Sequence, residues 1–110
     1  NRKLGKRTDQ RKAMLRAMVT YLLENGQIKT TLARAKEVAP LTEKMITLSK
    51  KNDLAAYRQA LAFITKEDVA HKLFTEMNQK YMSRDGGYTR IVRMGPRKGD
   101  AAEMAIIQLV

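Results

Sequence analysis

The chain of 110 residues contains no cysteine. That excludes disulfides, thiolate metal sites and cysteine nucleophiles together, and it fits a reducing compartment. Histidine occurs once, at His71, so neither a histidine-based metal centre nor a histidine-containing triad has the partners it needs. Tryptophan is absent, and proline occurs only as Pro40 and Pro96. No apolar run approaches the roughly 20 residues of a membrane span. The basic, polar start does not have the shape of a signal peptide, and the lack of an initiator Met reads as an N-terminus that is processed or incomplete. Walker-type loops, G-x-S-x-G and HExxH are all missing. Glu67 and Asp68 are adjacent, point apart on a helix, and read as helix-start acids. The expectation is a protein that is not an enzyme and has no cofactor, metal, small-molecule substrate or membrane partner.

What is present is positive charge. Lys and Arg number 22 against 11 Asp and Glu, a net charge of +11. Residues 1–16 carry Arg2, Lys3, Lys6, Arg7, Arg11, Lys12 and Arg16 against Asp9 alone, a net +6. Residues 84–99 carry Arg84, Arg90, Arg93, Arg97 and Lys98 against Asp85, a net +4. A merely solvated surface spreads its charge, whereas two separated concentrations argue for a polyanion footprint.

The apolar spacing divides the chain into short elements. Residues 1–7 have no apolar periodicity, and their charge predicts an extended basic arm, followed by a single domain over residues 8–110. Thr8 or Asp9 is a candidate cap for a first helix, with Leu15, Met18, Val19, Leu22 and Leu23 inward and Asn25-Gly26 as its stop. Arg11, Lys12 and Arg16 crowd its first turns against the helix dipole, unfavourable by a few tenths of a kcal/mol each, which points to an anion there. QIKTT, residues 27–31, reads as a brief strand.

Thr31 then caps a second helix with Val38, Leu41, Met45 and Leu48 as its stripe; Pro40 should kink it without dividing it. Asp53 starts a third helix, with Leu54, Tyr57, Leu61 and Ile64 inward. TKED, residues 65–68, resembles a capping box ahead of a fourth helix carrying Val69, Leu73, Phe74 and Met77. Two strands, residues 88–94 and 103–109, close the chain as a hairpin. The fold class is α+β in two layers: helix, strand, three helices and a two-strand hairpin, with a small sheet packed on helices.

The stretch RDGGYTRIVRMGPRKGD, residues 84–100, concentrates the chemistry. Strand alternation puts Tyr88, Arg90, Val92 and Met94 on one face, mostly apolar and expected to meet the helices, and Thr89, Ile91 and Arg93 on the other. Arg90 does not suit a core face and implies an edge or a bulge. Gly86-Gly87 either turns the chain or lets another backbone approach. Tyr88 is equally suited to stacking on a base or to the core. Arg97 and Lys98, on the loop tip, suit phosphates, the first in a bidentate manner and the second as a point charge.

RKLGKRTDQRKAML, IKTTLARAKEV, EKMITLSKK and GGYTRIVRMGPRKGDAAEMAIIQLV occur in that order. Together they resemble the bacterial large-subunit ribosomal protein L-seventeen family over nearly the whole chain. The resemblance implies an α+β fold, no enzymatic activity, a cytoplasmic location on the large ribosomal subunit, and a structural role bound to large-subunit ribosomal RNA beside neighbouring large-subunit proteins. Carried over, the RNA-facing candidates are Arg2, Lys3, Lys6, Arg7, Arg11, Lys12, Arg16, Arg84, Tyr88, Thr89, Arg90, Arg93, Arg97 and Lys98. Gln10 departs from the His of many members. The alternative is a general nucleic-acid-binding, nucleoid-type module, which needs a base-reading recognition helix that none of the four plainly offers.

Overall fold

A computed structural model describes the backbone of residues 2–110 and the side chains of residues 8–110. Helix α1 spans Arg2–Asn25, so it begins well before the Thr8 or Asp9 cap, within the stretch that the sequence reads as an extended arm. The arm contacts predicted for Arg2, Lys3, Lys6 and Arg7 lie outside the described side chains. Gly26, at φ +85°, takes the left-handed conformation that stops α1 and turns it into strand β1, Gln27–Thr31.

Helix α2, Leu32–Lys51, follows without a loop because Thr31 ends the strand and caps the helix, its hydroxyl accepting from the Arg34 N–H at 3.3 Å. Pro40 sits inside α2, and the helix continues through it as one element, as expected. Asn52, in the left-handed region, closes α2, and Asp53 caps α3, Leu54–Phe63, accepting from the Ala56 N–H at 2.7 Å. Helix α4 begins as Glu67–Lys72, widens to a π-turn over Leu73–Met77 and ends in a last turn, Asn78–Lys80. The predicted capping box does not form. Thr65 turns instead to α1, where its N–H and hydroxyl both donate to the Thr20 hydroxyl, at 3.0 and 3.1 Å.

Strands β2, Thr89–Pro96, and β3, Glu103–Leu109, complete an antiparallel sheet in the order β1-β3-β2. The last strand is therefore central: Ile107 pairs with Ile28 on one side and with Ile91 on the other. Directly paired residues share a face. Ile28, Ile91, Ala105, Ile107 and Leu109 thus face the helices, and Ala105 and Ile107 are fully buried. This reverses the face predicted for β2. Arg90, Val92 and Met94 are exposed on the far side of the sheet, and Thr89 and Ile91 turn inward. The error has a local cause, because buried Tyr88 precedes the strand and a bulge between Arg93 and Gly95 breaks the alternation at its other end. Arg90 is thereby explained: it lies on the open face, donating to Gln108 across the strand pair at 3.0 Å.

The core is the layer between sheet and helices. Val19, Leu22 and Leu23 of α1 and Val38, Met45 and Ile46 of α2 are buried in it. On α3 the buried stripe is Ala56 and Ala60, continued by Ile64; Leu54, predicted inward, is 63% exposed at the helix start. Small alanines on that stripe let α3 lie close against α2. Phe74 of α4 meets the Tyr57 ring edge-on at 5.1 Å between centroids.

Candidate nucleic-acid interface

Fourteen residues were singled out by charge and motif, and the structure sorts the ten whose side chains are described into two groups. One group serves the fold. Arg16 is half-buried, and its Nε donates to the Phe63 carbonyl at 2.8 Å, closing the C-terminal end of α3 with a cation where the helix dipole favours one. Thr89 faces α2 and donates to Glu43 at 2.9 Å. Tyr88 is only 3% exposed and edge-on to Tyr81 at 5.3 Å, a core environment. Its hydroxyl accepts from Lys50 Nζ at 2.8 Å, and that hydrogen bond holds the phenol pKa below its ordinary value.

Lys50 was not foreseen, yet it organises this corner. It also donates to the Arg84 carbonyl, while Arg84 reaches forward to the Gly87 carbonyl at 2.9 Å. Gly86 and Gly87 have φ of +98° and +66°, and a Cβ added to either would meet nothing within 4 Å. Within the chain, then, the glycines are there for their backbone angles rather than for close approach. Replacing Lys50 with Met is expected to lower stability by about 1.5–3 kcal/mol, the usual worth of hydrogen bonds to a charged group. Urea unfolding of the full chain measures it, and an unchanged midpoint would dissolve the proposed clamp.

The second group is exposed. Lys12 projects from α1 and Lys98 from the hairpin tip, and neither makes an ion pair among the described residues. Arg93 lies loosely opposite Glu103 at 3.5 Å, with most of its side chain in solvent. Arg11 is exposed but tied to Glu37 of α2. Arg97 forms a two-pronged pair with Asp100, at 3.1 and 2.5 Å, that braces the loop 95–102. The loop backbone is closed by Arg97 N–H to the Ala102 carbonyl at 2.7 Å and Ala101 N–H to the Arg97 carbonyl at 3.0 Å.

Arg97 and the Ala102 N–H together hold the Asp100 carboxyl down to about 2. The sign follows from linkage: a carboxyl with a folded pKa below its unfolded one contributes stability above the unfolded value and loses it as pH falls. The brace should therefore hold at pH 4 and above and be lost as pH drops through about 2. NMR titration of the Asp100 carboxyl reads this directly. A midpoint at the ordinary carboxylate value of about 4 would show that the pair does not form in solution.

The register brings together what the sequence keeps apart. Thr31, at the head of α2, pairs with Met104, and Met104 with Gly95 of the hairpin. From the same corner Arg34 of α2 reaches Met14 of α1, and Arg11 reaches Glu37. The basic half of α1 and the basic loop 95–102 thus lie toward one end of the molecule. Lys29 joins them, lining a surface concavity with Arg97, Lys98, Met94 and Met104. The register Lys29–Ile106–Val92 puts Lys29 on the open face.

No group of three or more His, Cys, Asp or Glu among the described residues is placed to hold a metal ion. Among the described residues no helix is long and apolar enough to cross a membrane. The concavity between α3 and α4, lined by Tyr57, His71, Phe74 and Asn78, contains one His and one carboxylate, Asp53, and no Lys or Arg.

The ribosomal protein L17 family model matches residues 14–110. The large ribosomal subunit protein bL17 of Clostridium acetobutylicum is 60% identical over 109 residues, 99% of this chain and 96% of the relative. The protein of the same name from Clostridium tetani is 57% identical over 110 residues, covering 100% and 97%. That from Clostridium botulinum is 58% identical over 109 residues, covering 99% and 96%. The chain belongs to the ribosomal protein L17 family.

Proposed function

We propose that the chain is a structural constituent of the large ribosomal subunit and holds large-subunit ribosomal RNA through its basic N-terminal segment and its cationic hairpin. The family is a structural, non-enzymatic one, and its place is the cytoplasmic ribosome. The observation that carries the RNA reading is the gathering of the α1 cations and of Lys29, Arg97 and Lys98 toward one end. Lys12, Arg90, Arg93, Arg97 and Lys98 pair with phosphates in this reading. Arg2, Lys3, Lys6 and Arg7 extend the same charge along the backbone at the start of α1. Arg16, Arg84, Tyr88 and Thr89 act through the fold that presents those groups. Neighbouring large-subunit proteins cover further surface.

Sedimentation of the chain with ribosomal subunits through a sucrose gradient, before and after a high-salt wash, tests this reading. It predicts travel with the large subunit that survives the wash. A chain left at the top of the gradient, or released by modest salt, would favour a general polyanion-binding module instead.

A further inference from the structure

Among the described residues, helices cover one face of the three-stranded sheet and leave the other open. Its rows follow from the register: Gln27, Gln108 and Arg90 in one, Lys29, Ile106 and Val92 in the next. Val92 is 41% exposed, and Ile106 is half-buried. No acid stands in either row.

At the β1 edge of this face Tyr21 rises from α1. It is 51% exposed, while Phe74, Tyr81 and Tyr88 are buried and Tyr57 and Phe63 are half-buried, so it is the one exposed Tyr or Phe ring among the described residues. Tyr21 lines a concavity with Asn25, Gln27, Ile28, Lys29 and Ile106. Lys29 lines this concavity and also the one beside Arg97 and Lys98. A continuous track therefore runs from an aromatic ring, past a lysine, to the cationic loop.

A Tyr on the outer side of a helix is ordinarily a solvated side chain. Here it stands over two amide side chains, an apolar floor and a cation, in a molecule of net charge +11. Those are the parts a single-stranded nucleotide needs: a ring to stack on, amides for the base edge, apolar surface for the sugar and a cation for the phosphate. A paired duplex keeps its bases stacked on one another and cannot use the ring.

Building on the RNA-binding reading, we propose that the open sheet face is a platform for an unpaired stretch of RNA, with one base stacked on Tyr21 and the following phosphates on Lys29 and the hairpin cations. Charge complementarity selects RNA over a protein segment as the occupant, since no carboxylate lines either concavity.

The chain lacks tryptophan, so Tyr21→Trp installs a single reporter at the site. Tyr21 is half in solvent, and its replacement leaves the core untouched. The experiment titrates the full-length variant with a heptauridylate, with a seven-base-pair RNA duplex and with hepta-glutamate. Saturable quenching by the heptauridylate, at lower concentration than by the duplex, is expected. Adding Lys29→Gln should reduce the log–log salt slope by about 0.7, the share of one single-strand phosphate. With labelled heptauridylate, Tyr21→Phe should bind like the unaltered chain, and Tyr21→Ala roughly tenfold more weakly, within the range for one lost base–aromatic stack.

Unaltered binding by Tyr21→Ala would overturn the platform, and so would tighter binding of hepta-glutamate, which would make the face a protein site. If the unaltered chain binds large-subunit RNA while the Trp emission does not move, the platform falls and the RNA reading stands. If it binds no RNA at all, both fall.

Discussion

Replacing Arg97 and Lys98 together with alanine is expected to weaken binding to large-subunit RNA about tenfold at moderate salt, since two exposed ionic contacts at up to about 1 kcal/mol each are lost. The salt slope should become shallower by about 1.5 to 2, because two phosphates are no longer neutralised. The loop itself should persist, being closed by the backbone hydrogen bonds between residues 97 and 101–102. A control of opposite sign separates charge from loop structure. Asp100→Asn releases Arg97 from its ion pair and removes the nearest negative charge, and should bind RNA more tightly. Filter binding across a salt series reads both. Equal weakening by the double variant and by Asp100→Asn would mean that the loop's shape, not its charge, is what RNA feels.

The second large effect lies in the core. Ile107→Ala should cost about 2–5 kcal/mol, because a fully enclosed side chain leaves a cavity that the layer between sheet and helices cannot close. Ile106→Ala, one residue away on the open face, should cost about 1 kcal/mol or less, since much of its surface already meets water. The contrast tests the assignment of faces in β3, where Ile107 is 0% exposed and Ile106 is half-buried. Urea unfolding gives both numbers. Equal costs would mean that a partner or a second layer covers the open face in solution.

Local chemistry carried much of this architecture. Thr31 and Asp53 declare the starts of α2 and α3 because a short side-chain oxygen meets a free N–H three residues on. Gly26 declares a stop because α1 needs a left-handed residue there. Thr65 misled because its hydroxyl is taken by Thr20, 45 residues away, and no local rule sees that competitor. The fold partner of Arg16 was hidden for the same reason, being a helix-end carbonyl 47 residues distant. The faces of β2 were misread because alternation was counted from Tyr88, which lies outside the strand, and ran unbroken through a bulge. Lys29 stayed hidden because a lone cation in a five-residue strand gains meaning only when the register sets it beside the hairpin loop. Charge position was legible from the start, but the end of the molecule it would occupy depended on strand pairing, which is non-local.

In the proposed function this end of the molecule, and not its helical far side, meets RNA. Reactivity of each lysine toward an acetylating reagent, read by mass spectrometry with the chain free and bound to large-subunit RNA, tests it most directly. Lys12, Lys29, Lys98, Lys72 and Lys80 are all exposed in the free chain. Lys12, Lys29 and Lys98 are expected to lose most of their reactivity on binding, while Lys72 and Lys80 keep theirs. Protection of Lys72 and Lys80 with Lys29 and Lys98 left reactive would contradict it and move the RNA interface to the other side of the fold.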